Sequence, residues 1–306
     1  MKLATFLRKD GRPAVGAVDA DGQRLLDLAA ATPDPAFASM LALIDAGAEG
    51  MAKARAAAAR WPDAASLPLA GTRLLAPVPR PRQVRDCLTF ELHLRNAFAQ
   101  AEKRTGIKRE IPEVWFRQPI YYKSNRFSVV GTETDVVWPR YSKWMDYELE
   151  LACILGKGGK DIAPEKAMDH VFGFTIFNDF SARDAQMAEM AAQLGPAKGK
   201  DFDNGNVLGP WIVTPDEIGD VYNLRMDARV NGERWGGGNS GSMHHKWPAI
   251  LAHISASETL HAGEVIGSGT VGTGCGLEIG RQLEDGDVVE LEIEKIGVLR
   301  NRVRRA

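Results

Sequence analysis

The chain has 306 residues, 44% of them apolar, and balances 38 Lys and Arg against 40 Asp and Glu for a net charge of −2. That is enough apolar material for one large core or two unequal ones, and it excludes a disordered or fibrous polymer. The small net charge excludes a global pull toward nucleic acid or an anionic membrane. The three widely spaced cysteines, Cys87, Cys153 and Cys275, suit neither a disulfide framework nor a zinc knuckle and point to a reducing cytoplasm.

The apolar run between Lys2 and Arg8 is too short for a signal sequence, and no window approaches a membrane span. Residues 2–8, 13–18 and 23–28 read as short strands separated by the turn signals at Asp10-Gly11 and Asp21-Gly22. An alanine-rich stretch at 36–60 predicts helix. Pro77, Pro79 and Pro81 then keep the backbone extended, so a domain boundary is expected at about 72–80. This divides the chain into a small N-terminal α+β domain, 1–75, with no cluster of catalytic residue types, and a larger domain, 76–306.

Beyond the boundary, Phe90, Leu94, Ala97, Phe98 and Ala101 form one apolar helical stripe within 88–105, and Gly106 is placed to cap it. Taken alone, His93 on that helix reads as structural. Residues 104–118 read as a charged, irregular loop and 119–138 as strands. A helix begins just after Asp179, residues 198–203 form a charged loop, and 208–214 is a strand. Residues 222–231 and 287–298 alternate as sheet strands, with a glycine-rich loop at 236–241 and a helix at 243–256 between them. The basic residues at 300–305 read as a solvated end. Many strands and few helices predict a sheet-dominated α+β fold.

The stretch Trp144 to Ile154 organises the rest. Its alternation puts Tyr147, Leu149 and Leu151 on one side and Asp146, Glu148, Glu150 and Ala152 on the other. Glu148 and Glu150 then lie roughly 6.5 Å apart, close enough to repel unless water or a cation intervenes. A solvated strand face is the plain reading. The competing reading adds Asp179, at the end of the apolar run 171–179, as a third carboxylate. An all-oxygen set of that kind suits a hard cation, Mg²⁺ first with Mn²⁺ or Ca²⁺ as alternatives, and argues against zinc.

Several patterns recur in a fixed order from about Pro81 to Val303: Phe90-x-x-His93, Asp146-Tyr147-Glu148-Leu149-Glu150, Asn178-Asp179-x-Ser181-Ala182-Arg183-Asp184, Lys200-Asp201-Phe202-Asp203 followed by Gly209-Pro210, and Gly269-Thr270. Together they resemble the fumarylacetoacetate hydrolase superfamily in its bacterial acylpyruvase-like branch. The resemblance implies a mixed β-sandwich roll, a homodimer, and a site in which Glu148, Glu150 and Asp179 hold the metal. It further makes His93 the lid histidine, Lys200 a catalytic lysine, and Lys123 and Thr270 substrate contacts. Arg183 could bind a substrate carboxylate, although an internal ion pair is the plainer reading.

By the same resemblance the substrate is a 2-oxo or 2,4-dioxo acid. His93 would draw a proton from water for attack on a carbonyl, a carbon–carbon bond would break, and Lys200 would offset the developing negative charge. Two positions depart from the pattern. Asn96 stands where a glutamate usually orients the lid histidine, leaving the dyad incomplete, and Val271 replaces the proline after Thr270. The first departure favours the alternatives within the superfamily, a 2-oxo acid decarboxylase, hydratase or isomerase. A non-catalytic, metal-stabilised binding protein is the alternative from another class.

Overall fold

The computed structural model describes residues 1–306. Two sheets carry the fold. In spatial order the larger runs Ser66–Pro68, Arg24–Asp27, Pro13–Val18, Lys2–Leu7, Asn206–Val213, Val171–Asp179, Leu149–Leu155, Val265–Gly267, Val84–Cys87 and Tyr121–Ser124, with Val129–Val130 added beside Asn206–Val213. The smaller runs Glu233–Asn239, Arg225–Val230, Val288–Ile293, Gly297–Arg305 and Asp135–Trp138. Most pairs are antiparallel, but Val265–Gly267 with Val84–Cys87, Val129–Val130 with Asn206–Val213 and Gly297–Arg305 with Asp135–Trp138 are parallel. This is a mixed, sheet-rich α+β architecture with no closed barrel.

Between the sheets lies the main core, where Leu149, Leu151, Cys153, Ile176 and Val213 meet Met226, Ala228, Leu291, Ile293 and Leu299. On the other side of the large sheet, Ala152, Ile154, Phe177 and Ile212 pack with Leu3, Val15, Leu43 and Ala54 from the N-terminal segment. The sheet runs without interruption across the expected boundary at 72–80, because Lys2 and Leu3 pair with Val213 and Ile212.

The strand Leu149–Leu155 is therefore central, and every one of its residues is buried. The solvated face considered for Glu148 and Glu150 does not exist, since both carboxylates are interior. The strand also starts later than its alternation suggests. A short Met145–Asp146 ladder with Ser181–Ala182 precedes it, and between them the Glu148 N–H is taken by the Asn178 side chain at 3.0 Å.

Other elements differ in ways with local causes. The 36–60 helix is two helices, Met40–Asp45 and Gly47–Arg60, broken where Gly47 takes a φ of 55°. The lid helix runs Glu91–Thr105 and ends, as the sequence indicates, on Gly106 at φ 70°. The glycine-rich 236–241 stretch is mostly strand: Gly236 and Gly237 are needed because a Cβ at either would collide with the backbone of Thr273 or of Met226 and Asp227. The expected strand at 287–298 is two strands that turn at 294–296, and the basic end at 300–305 is the second of them, paired on both sides.

Candidate active site

Three strand ends of the large sheet deliver carboxylates to one point. Asp86 comes from Val84–Cys87, Glu150 from Leu149–Leu155 and Asp179 from Val171–Asp179, with ligand oxygens within 4.8 Å of one another. All three are buried. Asp86 Oδ1, Glu150 Oε1 and Asp179 Oδ1 have no hydrogen-bond partner. Leaving such oxygens dry and unpaired is costly. Burial and the neighbouring charge of Asp179 push Asp86 up to about 8. Burial and Asp86 raise Glu150, and burial raises Asp179 against the pull of Lys200. The backbone makes room for this group at Gly267, where a Cβ would come within 2.6 Å of Glu150 Oε2. Gly269 N–H holds that same oxygen at 3.1 Å, which aims the free Oε1 into the cluster. Unpaired, mutually repelling hard oxygens fit a divalent cation, which would supply the missing bonds and charge.

Glu148, expected among the ligands, borders the cluster but gives its oxygens to cations of the chain. Oε1 lies 2.7 Å from Arg183 Nη1 and Oε2 lies 2.5 Å from Lys200 Nζ. Burial opposes its ionisation, yet Arg183, Lys200 and His93 together hold it below the usual carboxylate range. Lys200 Nζ also reaches Asp179 Oδ2 at 2.5 Å, so one buried ammonium bridges two acids. Desolvation works against that charge, but Asp179 and Glu148 raise its pKa. Arg183 is equally committed, its Nε donating to Asp146 Oδ2 at 2.9 Å. The internal pairing weighed for Arg183 is what the structure contains.

Facing the acids is His93, on the lid helix and 6% exposed. The gap left by Asn96 is filled from elsewhere in the chain. Glu278, on the short helix Gly276–Ile279, accepts from His93 Nδ1 at 2.9 Å. Asn96 supports it by donating to Glu278 Oε2 at 3.0 Å, and Thr273 N–H donates to the same oxygen at 2.7 Å. Burial opposes the charge of Glu278, but His93 and these hydrogen bonds outweigh it and lower its pKa. The dyad is complete. Asp146 sets its position, because it accepts from Gly276 N–H at 2.8 Å and Leu277 N–H at 2.9 Å and so anchors the start of the helix that carries Glu278.

These groups share one cavity of about 480 Å³, lined by Asp86, His93, Glu148, Glu150, Arg183, Lys200 and Thr270 among others. Lys123 is not brought there. It points away, 51% exposed, and pairs with Glu258 at 2.9 Å. Side chains alternate along a strand, and on Tyr121–Ser124 it is Tyr122 that turns inward and donates to Asp179 Oδ2 at 2.5 Å.

The family model described as fumarylacetoacetate (FAA) hydrolase, C-terminal, matches residues 84–304, the part of the chain that holds every one of these side chains. The chain belongs to this family. A mitochondrial oxaloacetate tautomerase of Homo sapiens is 38% identical over 252 residues, 81% of this chain and 74% of that one. The fumarylacetoacetate hydrolase of Exiguobacterium antarcticum superposes with a TM-score of 0.78 at 30% identity over the full length of both chains. A maleylpyruvate hydrolase from Sphingobium sp. SYK-6, solved with manganese(II) and pyruvate, gives 0.76 at 27% identity, again over both full chains. The relatives are enzymes of more than one reaction type, and the fumarylacetoacetate hydrolase fold here carries an enzyme's constellation of buried acids, a bridging lysine and an oriented histidine. Sequence reasoning missed Asp86, Tyr122 and Glu278. Asp86 had one available signal, an acid between Val84 and Cys87, seven positions before His93.

Proposed function

We propose that the protein is a divalent-metal-dependent enzyme that interconverts the keto and enol forms of a 2-oxo dicarboxylic acid, a tautomerase of the oxaloacetate type using Mg²⁺. The observation that carries this is the His93–Glu278 pair set over three unpaired buried carboxylate oxygens in one cavity. The similarity to an oxaloacetate tautomerase supports the choice of reaction.

Asp86, Glu150 and Asp179 would hold the cation, with Glu148 alongside. A divalent ion there would supply Lewis-acid stabilisation for charge that develops on the oxygens of an enolising 2-oxo acid. Tautomerisation moves one proton between a carbon beside the carbonyl and the carbonyl oxygen. His93 is the group placed to take and return it: Glu278 occupies Nδ1 and fixes the ring, leaving Nε2 for the substrate. Lys200 stands at the acids as a fixed positive charge, which offsets negative charge building on the substrate. Thr270 lines the same wall and offers a hydroxyl.

A second reading, hydrolysis of a carbon–carbon bond in a 2,4-dioxo acid, is favoured by the size of the cavity and by the likeness to a maleylpyruvate hydrolase. It uses the same dyad with water in place of the substrate carbon. One assay separates the two. Purified protein with Mg²⁺, with EDTA as control, is offered freshly dissolved enol-oxaloacetate, acetylpyruvate and fumarylpyruvate, following enol absorbance and pyruvate release. Metal-dependent loss of the enol beyond the buffer rate, abolished by His93→Ala, is expected. Pyruvate release from the dioxo acids without enol loss would replace tautomerisation by hydrolysis.

A further inference from the structure

One buried thiol has no part in the reaction described so far. Cys275 immediately precedes the short helix Gly276–Ile279 and stands three residues before Glu278, a spacing that puts both side chains on one side of a helical turn. Its Sγ lies 3.4 Å from Glu278 Oε1 and 4.0 Å from His93 Nδ1, and those two atoms are 2.9 Å apart. A thiol, an imidazole nitrogen and a carboxylate oxygen therefore meet at one place, and all three residues are buried. The other oxygen of Glu278 is held by Asn96 and by the Thr273 N–H, so the carboxylate is fixed from behind with Oε1 turned to the sulfur and the ring. His93 and Leu277 also line the cavity of the acids, which gives an ion in solution a route to the group.

A tetrahedral zinc ion sets a sulfur about 3.5 Å from a nitrogen or an oxygen ligand, and sets that nitrogen and oxygen about 3.3 Å apart. Each edge of the triangle formed by Cys275, His93 and Glu278 is within about 0.5 Å of those values. We propose that these three residues form a second cation site, selective for a thiophilic ion of the zinc class, and that its occupation switches off the proton-transfer histidine. The switch rests on the role proposed for His93, whereas the site itself does not. Donor chemistry separates the two cation sites: the all-oxygen cluster of Asp86, Glu150 and Asp179 suits a hard ion, and Mg²⁺ has little affinity for a thiolate. Three protein ligands leave the fourth position of the ion to water.

Binding displaces the thiol proton. In the free protein burial favours the thiol form of Cys275, and a coordinating cation drives that proton to solvent as the metal–sulfur bond forms. At His93 the hydrogen bond from Nδ1 to Glu278 gives way to a metal–nitrogen bond. The hydrogen that Nδ1 carried is relocated through solvent to Nε2, so the ring stays neutral in its other tautomer. Nε2, the nitrogen left for the substrate, then carries N–H and has no lone pair with which to take a proton from carbon. The ion stops the reaction without displacing Mg²⁺ and without filling the cavity.

Cobalt(II) reads the site without turnover, because it accepts zinc's tetrahedral geometry and shows a thiolate charge-transfer band that oxygen ligands do not give. The full-length protein, saturated with Mg²⁺ and kept reduced with a phosphine, is titrated with Co²⁺. The band should saturate at an equimolar amount in the wild type and in Asp86→Asn, and be absent from Cys275→Ser. Glu278→Gln should bind Co²⁺ at least about tenfold more weakly. Zn²⁺ should bleach the band and stop enol decay, and Cys275→Ser, compared with its own zinc-free rate, should need at least about tenfold more Zn²⁺ for half-inhibition. Melting temperatures of the variants check folding. No band in the wild type, or a band that survives in Cys275→Ser, overturns the site. Equal zinc inhibition of wild type and Cys275→Ser overturns the switch, since zinc then acts at the acids. A protein that binds Co²⁺ through Cys275 but has no action on enol-oxaloacetate keeps the site and overturns the switch together with the tautomerase reading.

Discussion

Replacing Glu278 by Gln removes one charge and almost no volume, at the point where the lid histidine is held. In the native site Glu278 accepts from His93 Nδ1 at 2.9 Å, from Thr273 N–H at 2.7 Å and from Asn96 Nδ2 at 3.0 Å, with its side chain buried. The amide oxygen of Gln can still accept from one of these donors, but its NH₂ group then faces another donor, and no anion remains beside the imidazolium. A hydrogen bond to a charged group contributes about 1.5–3 kcal/mol. The imidazolium forms as the proton moves, so this falls on the transition state and lowers kcat by roughly 10–150-fold, with KM changed by less than about threefold. Steady-state enol decay on the Mg²⁺-loaded variant reads both constants, and a melting curve confirms the fold. Asn96→Ala loses a bond to the far oxygen only and should cost less than about tenfold in kcat. A Glu278→Gln enzyme within twofold of wild type would refute the dyad, and so would an Asn96→Ala loss larger than the Glu278→Gln loss.

Asp86→Asn and Glu150→Gln should each weaken Mg²⁺ or Mn²⁺ binding at least about tenfold by calorimetry, since each removes one of three anionic donors; an unchanged titration would remove that residue from the cation site. Gly267→Ala should do the same by pushing a methyl group against Glu150, and should lower the melting temperature as well. Asp86, Glu150 and Asp179 all have folded pKa values above the unfolded ones. Their protonated forms therefore favour folding near pH 4, and this stabilisation is lost as pH rises toward 8. The metal-free protein should melt at a lower temperature at pH 8 than at pH 6, by about 5 °C or more. Saturating Mg²⁺ should close the gap, and a flat profile without metal would mean that the acids are not coupled as described. Lys123→Ala should leave kcat/KM within about twofold of wild type, because Lys123 makes only a half-exposed pair with Glu258. A large loss would return that lysine to the substrate.

How much of this was legible in the sequence depends on the distance over which each signal acts. Local rules read well for the helix Glu91–Thr105, from its apolar stripe and Gly106. His93 and Lys200 line one cavity and Asp179 belongs to the acid cluster beside it, a grouping that no periodicity marks. What failed was each inference that needed to know which side of an element was covered. Lys123 and Tyr122 are adjacent, and one residue of phase decides which enters the site. Arg302, Arg304 and Arg305 are exposed, as their charge suggests, but nothing local shows that their backbone pairs with the strand Asp135–Trp138.

Glu278 is the instructive case, because 185 residues separate it from His93 and its helix, Gly276–Ile279, has only 4 residues. A helix that short has little stability of its own. Its start is held instead by Asp146, whose carboxylate takes two of its free N–H groups, while the same carboxylate receives Arg183, which in turn holds Glu148. Asp146, Glu148 and Glu150 therefore reach both halves of the proposed site from one five-residue stretch: the first holds the helix that carries Glu278, the second pairs with Arg183 and Lys200, and the third joins the carboxylate cluster. A strand carrying acids at alternate positions can link a proton-transfer group to a cation site without either being near the other in sequence. Movement of that stretch would disturb both at once, and it is held in place by burial beside the centre of the large sheet.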